Sequence, residues 1–299
     1  MHKPKVASQD PNLLNRIKIL AVVAMFSDDE LLELLVLKGG NAMALVHQIS
    51  ARASVDLDFS LKQDFGDDLD SVKTRIERTL SNTFRANGFE VFDLKMTERP
   101  RAITEDMNDF WGGYAVEFKL ATTEVHDAHI GDVEKLRKLA VNLGQGTRFL
   151  MDISRFEYVE DKQDAEFEGT VIYVYSPLMI VCEKLRAICQ QMPEYGPIIK
   201  RNRSGSPRPK DFVDIFVLTK ALDLDLTGEH MQRILTAMFE VKKVPMALLG
   251  RIHSSYELHR AGFPAVADTV SPDFDLQTFD FYFAYVLQLV DSLKPTWDK

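Results

Sequence analysis

The 299-residue chain is 45% apolar and 27% charged, enough to bury a sizeable core and long enough for two domains. Its net charge of −9 argues against a diffuse coating of nucleic acid, so any contact with a polyanion must come from local patches. No stretch reaches the roughly eighteen uncharged apolar residues of a membrane span. The opening MHKPKVASQDPNLL lacks the apolar block of a secretory signal, so the expected home is cytoplasmic. The two cysteines, Cys182 and Cys189, lie seven apart in a helical pattern without CxxC spacing and read as buried thiols.

In chain order, a first helix is expected with Asp10 as its cap, Pro11 in its first turn, and Leu14, Ile17 and Leu20 facing a core. A short helix over 28–35 follows. VLKGG then reads as a strand entering a turn, NAMALVHQI as a helix, and VDLDFSL as an alternating strand. Residues 67–87 form a helix that Gly88 stops. FEVFDLKM, GYAVEFKLA, TRFLMDIS and TVIYVY are strand candidates. After Ser176-Pro177, a cap and first-turn pair, the pattern turns helical over about 177–192, 210–222, 228–243, 245–259 and 275–293. Strands first and helices after predict an α+β domain over 1–175 and a helical domain over 176–299.

The chemistry concentrates in LKGGNAMALVHQISARASVDLDFSL, residues 37–61. Residues two apart on a strand share a face, so Asp56 and Asp58 present two carboxylates together while Val55, Leu57 and Phe59 face the core. Two anions at that spacing repel unless a cation lies between them, and an oxygen-only pair suits Mg2+, which fills its other positions with water and phosphate oxygens. Gly39 and Gly40 let backbone N–H groups approach a triphosphate at the start of the helix that Asn41 opens. Ser54 can add a hydroxyl donor. Elsewhere, Lys200, Arg201, Arg203, Arg208 and Lys210 make the strongest basic cluster, on a loop broken by Gly, Ser and Pro. Taken alone, such a loop reads as solvated and mobile. His126 and His129 lack a third zinc ligand, His47 reads as packed, and the aromatic run Phe279, Phe281, Tyr282, Phe283 and Tyr285 reads as a core-facing helix with some exposed rings.

The stretch KGGNAMALVHQISARASVDLDFSL resembles the first motif of the AbiEii/AbiGii toxin family, a branch of the polymerase-β-like nucleotidyltransferases. YSPLMIVCEKLRAICQQM and RPKDFVDIFVL are similar to that family's E-K-L-R-A and R-x-x-D-x-x-D segments. Asn41 stands where many relatives have Thr or Ser, which leaves phosphate contact there to the backbone. The resemblance implies a nucleotidyltransferase fold and a third carboxylate beside Asp56 and Asp58 to share a second metal. Asp152 is the choice for it and Glu117 the competitor. It also implies a role for Lys184 at the leaving β- and γ-phosphates, for Asp211 in holding Lys184, and for Asp214 and Arg186 in support. The basic loop then joins the Lys184 helix to the Asp211 helix, so its five cations would hang at the mouth of the site and bind an RNA end.

Two classes of function follow. The resemblance implies a Mg2+-dependent toxin of a toxin–antitoxin, phage-defence system, which transfers NMP from an NTP to a tRNA 3′ end and is countered by a separately encoded antitoxin. A non-catalytic nucleotide- or RNA-binding module is the other class, and a small-molecule acceptor is a variant of the first. The base, the acceptor, the antitoxin and the oligomeric state stay open.

Overall fold

The computed structural model describes residues 12–298 apart from 50, 53–55, 67, 102 and 145. The helices are α1 (Leu13–Phe26), α2 (Asp29–Leu34), α3 (Gly39–Asn41), α4 (Leu69–Arg85), α5 (Thr123–Asp127), α6 (Val133–Leu139), α7 (Pro177–Cys189), α8 (Pro209–Ala221), α9 (Glu229–Glu240), α10 (Tyr256–Ala261), α11 (Pro264–Ala267), α12 (Phe279–Ser292) and α13 (Lys294–Trp297). The strands are β1 (Leu35–Lys38), β2 (Leu57–Leu61), β3 (Phe89–Arg99), β4 (Gly113–Thr122), β5 (Phe149–Ser154), β6 (Gln163–Phe167) and β7 (Thr170–Val174). They form one mixed sheet in the order β3-β4-β5-β2-β1-β7-β6. The expected α+β class is therefore observed.

Period-two alternation gives the sheet two unlike faces. Leu57, Phe59, Met151, Ile153, Val116 and Phe118 are buried on one of them, and α4 lays Val72, Ile76, Leu80 and Phe84, spaced four apart, against the same apolar cluster. Phe118 is the hinge of this packing: its ring lies 5.7 Å from Phe84 and 5.3 Å from Phe149. The start of α4 is set by Asp68, whose carboxylate accepts from the N–H groups of Asp70 and Ser71. Ser176 caps α7 and Pro177 occupies its first turn, as the sequence predicts. The change from strand to helix falls between Val174 and Pro177, and the buried apolar cluster runs through both halves.

Several expectations change in detail. The proposed cap at Asp10 and Pro11 lies outside the described residues, and Asn12 precedes α1 without a side-chain cap. NAMALVHQI is not a plain α-helix, because Ala42–Val46 widens to π geometry. The helix expected over 245–259 is 3-10 over Met246–Ser255 before α10 begins. Gly250 lies under Trp297, where a Cβ would come within 2.4 Å of the ring. Strand β6 went unpredicted because its apolar alternation is confined to Ala165 and Phe167 among Gln163, Asp164 and Glu166, as befits an edge with one partner. The thiols of Cys182 and Cys189 are free and buried as expected. Among the described residues no helix is long and apolar enough to cross a membrane.

Replacing Phe118 by Ala should cost about 3–5 kcal/mol of stability, since it deletes a fully buried ring between two others. Urea unfolding measures this, and a loss below about 1 kcal/mol would contradict the packing.

Candidate active site

The second face of the sheet carries the polar residues. In the parallel pair of β2 and β5, Asp58 stands opposite Asp152, and in the antiparallel pair of β1 and β2 it stands opposite Lys38. On β4, Glu117 stands opposite Leu150, two residues before Asp152, and so shares this face. Arg99, at the end of β3, donates to both acids, 3.4 Å from Asp152 and 3.1 Å from Glu117. Asp56 sits exposed just before β2, and the side-chain amide of Asn41 donates to its carbonyl. Asn41 Oδ1 is buried without a hydrogen-bond partner among the described residues. Gly39 closes on the pair from behind. Its φ is +70°, and a Cβ there would lie 2.6 Å from an Asp58 carboxylate oxygen, so only glycine fits.

Crowded carboxylates of this kind hold protons more tightly. Desolvation pushes Asp58 up to about 6, with Glu183, Asp152 and Asp56 adding to it and Lys38 opposing. Desolvation raises Asp152 as well, helped by Asp56 and Glu117 and opposed by Arg99 and Lys38. Asp56 is raised by desolvation against Lys210, Lys18 and Arg99. The expected three-carboxylate metal site is not assembled: among the described residues no group of three or more His, Cys, Asp or Glu is drawn together to hold a metal ion. Arg99 instead supplies the positive charge beside Asp152. Asp58 and Asp152 form a facing pair, and Asp56 stands at their rim.

Lys184 is not a free surface cation. It is buried on α7, 3.2 Å from Asp211 and 2.7 Å from Asp214 on α8. Arg52 donates twice to Asp214, at 2.9 and 2.6 Å, and Arg208 to Asp211. Both aspartates sit below the usual carboxylate range: burial pushes each up, and the cations around them outweigh it. Two of the three Lys184 N–H groups are thereby used. The third is left for the cleft that Lys184 lines.

A second buried cluster went unread in the sequence. Glu157 accepts from Arg186 at 2.8 Å and pairs with Lys38 at 3.4 Å and Lys242 at 3.5 Å, all four side chains being buried. Burial alone would raise the Glu157 pKa, but Arg186, Lys242 and Lys38 hold it below the usual range. Lys242, desolvated and repelled by Arg186 and Lys38, is lowered to about 8 despite Glu157, while its ammonium donates to the Phe110 and Arg155 carbonyls. Arg186 thus ties α7 to the chain just after β5. No spacing rule links Lys38, Glu157 and Lys242, which meet only through the fold.

The basic loop is more ordered than its composition suggests. Lys200 pairs with Asp106 at 2.7 Å, Arg201 donates to the Gln190 and Met192 carbonyls, and Arg208 is held on Asp211. Arg201, Arg203 and Arg208 line the cleft, while Lys200 and Lys210 do not. The backbone N–H of Arg208 donates to Nδ1 of His259, a buried imidazole that desolvation lowers to about 4 and whose role the sequence did not suggest. His47 contacts the Tyr175 carbonyl and is packed. His126 contacts Asp127 at 3.4 Å. Ser54 lies outside the described residues. The aromatic run of α12 packs on Phe212 and Phe216, with Phe281 half exposed.

One cleft of 1120 Å3 takes in Gly39, Gly40, Asp58, Asp152, Lys184 and Asp211. A sheet face presenting paired acids on its central strands to a glycine turn, with a basic wall opposite, is the layout of a nucleotidyl transferase, and comparison with known proteins agrees. The family model for "Nucleotidyl transferase AbiEii toxin, Type IV TA system" matches residues 21–285, and the chain belongs to that family. Comparison with curated proteins gives no match. Among solved structures, a candidate nucleotidyltransferase from H. pylori is 15% identical at a TM-score of 0.48, covering 97% of this chain and 98% of that one. JHP933 from Helicobacter pylori is 15% identical at 0.47, covering 97% and 95%. An antigenic nucleotidyltransferase-like protein from Paracoccidioides brasiliensis is 14% identical at 0.35, covering 76% and 92%.

Two outcomes test the electrostatics. A folded-state pKa of about 6 for Asp58 against about 3.9 unfolded means that ionising it costs stability above pH 6 and costs nothing below about pH 4. With EDTA present, Asp58→Asn should therefore be more stable than the parent at pH 8, by on the order of 1–3 kcal/mol, and equal to it at pH 4. Thermal melts across that range check the sign. Lys184→Ala, by contrast, leaves two buried aspartates facing each other and should lose about 3–5 kcal/mol; a variant that melts with the parent would show that the pair is not buried.

Proposed function

We propose that the protein transfers a nucleoside monophosphate from an NTP to the terminal hydroxyl of an RNA acceptor, with a tRNA 3′ end as the family's expected target, and that it acts as the toxin partner of a separately encoded antitoxin in phage defence. The observation that carries this reading is the Asp58–Asp152 pair set against Gly39, whose missing Cβ lets the Asp58 carboxylate close directly on the glycine turn.

The donor set fits Mg2+. It is all oxygen, one or two carboxylates are what Mg2+ takes from a protein, and phosphate and water complete its sphere. Asp58 and Asp152 would hold it, with Asp56 at their rim, and bound there it would supply Lewis acidity at the α-phosphate and ease deprotonation of the acceptor hydroxyl. The chain's own residues do the rest. Backbone N–H groups at Gly39 and Gly40 hold the triphosphate at a helix start. Asp152, its proton affinity raised by its surroundings, takes the acceptor's proton at a carboxylate oxygen. The acceptor oxygen then bonds to the α-phosphorus as the bond to the bridging oxygen breaks, and the electron pair leaves with pyrophosphate. The remaining Lys184 N–H and the Arg208 guanidinium face that leaving group. The division near residue 175 would set catalytic carboxylates on one side of the cleft and phosphate-holding cations on the other.

The experiment is incubation of purified protein with each α-labelled NTP, Mg2+ and total RNA. Label should enter RNA, and Asp56→Ala and Asp58→Ala should each abolish both labelling and growth inhibition while staying folded. A folded double variant that still inhibits growth would overturn the catalytic reading. Label in small molecules alone would move the acceptor to that class.

A further inference from the structure

The cleft holds more positive charge than one nucleotide calls for. Twelve Lys and Arg against seven Asp and Glu line it, in a chain whose net charge is −9. Its 1120 Å3 also exceeds the roughly 300–1,000 Å3 of a site for one small ligand. The inner cations are committed: Lys184 to two aspartates, and Lys38, Arg186 and Lys242 to Glu157. The outer ones fall into two banks.

One bank belongs to the sheet. On β3, Lys95 is in register with Glu117, Thr97 with Ala115 and Arg99 with Gly113, so their side chains share the face that carries Asp152. Arg101, just past β3, and Arg148, just before β5, extend it along the cleft. The other bank is the loop with Arg201 and Arg203. Of these, Lys95, Arg101 and Arg203 have no ion-pair partner among the described residues. On β4, between this bank and Asp152, stand Gly113 and Ala115, both buried, whose small side chains let the Arg99 guanidinium cross to Glu117 and Asp152. A row of cations on the cleft wall thus leads to the carboxylate proposed to take the acceptor's proton.

We propose that the cleft between these two banks is the track of a single-stranded nucleic acid whose terminal hydroxyl ends at Asp152. The proposal rests on the nucleotidyl-transfer reading and adds to it a second bank of contacts, on β3 and its flanks, opposite the basic loop. Lys95 and Arg99 lie four residues apart, about 13 Å along the strand, farther than one phosphate reaches. A small acceptor would leave most of this row unused, whereas a strand running over β4 meets it phosphate by phosphate. Arg99, already on Asp152 and Glu117, stands at the inner end where the track meets the acids.

The test is binding of a short labelled oligoribonucleotide to the full chain over a range of KCl, with NTP binding measured by calorimetry in parallel. The parent should show a steep log–log dependence, near −0.7 per phosphate contacted. The triple variant Lys95→Gln, Arg101→Gln and Arg148→Gln should flatten that slope by about 2 and weaken binding about tenfold or more at low salt. Its NTP affinity should stay at the parent's value. A charge-matched control with Gln at Lys62, Lys135 and Lys294, outside the cleft, should behave as the parent. Parent and triple variant with the same slope, while both bind NTP, would overturn the track and leave the reaction standing; a parent that binds no NTP would instead sink the reaction. Polyglutamate binding more tightly than the oligoribonucleotide would overturn the track in favour of an acidic protein partner.

Discussion

Between the sheet and the helices runs a row of alternating charge, from Arg52 through Asp214, Lys184 and Asp211 to the half-exposed Arg208. Burying the first four of these ions is costly, and such a row is rarely the most stable way to fill space. What it does here is position. Arg52 stands four residues before Asp56, and Ala51 and Arg52 are also held against Ser271 and Val270 by backbone contacts. The segment that delivers Asp56 is therefore fastened to the helix that carries Asp211 and Asp214, and through Lys184 to α7. Any relative movement of sheet and helices would have to break charge pairs in a medium where unpaired charge is expensive. The Glu157 cluster fastens the same two layers at a second point, so the cleft between them keeps its width.

Much of this architecture could be read in the sequence, for definite reasons. The α+β order, the Ser176-Pro177 helix start and the shared face of Asp58 with its strand neighbours all follow from local periodicity and capping. The choice between Asp152 and Glu117 did not, because both lie on the cleft face and only the β2–β5 register sets Asp152 against Asp58. Lys38, Glu157 and Lys242 were invisible for a related reason: they are far apart along the chain, and each taken alone resembles a surface charge. The basic loop was misjudged in the opposite sense. Its Gly, Ser and Pro content reads as mobility, yet Arg201 is tied to two backbone carbonyls and Arg208 to Asp211 and His259. Composition records what a segment could do in isolation, and these contacts are made with other elements.

The distribution of charge is as informative as its sum. An acidic exterior around a basic cleft keeps the molecule from coating itself in nucleic acid, and it leaves one place where a polyanion gains more than it loses. Within that cleft the inner cations are paired with acids, and the outer ones stand in two banks. Asp58 and Asp152 sit where raised proton affinity makes them ready partners for a cation or a proton, with Lys38 opposing the shift at Asp58 and Arg99 at Asp152.

The outermost strand β6 bears on a different matter. It pairs with β7 along one side only, and its other side carries backbone groups free to recruit a strand from another molecule. Asp164 and Glu166 alternate along it, so a second copy brought edge to edge would set like charges against each other. During synthesis at high concentration, that repulsion disfavours stacking of sheets into aggregates. The residues that hid this strand from a reading by hydrophobic pattern are the ones that charge its free edge.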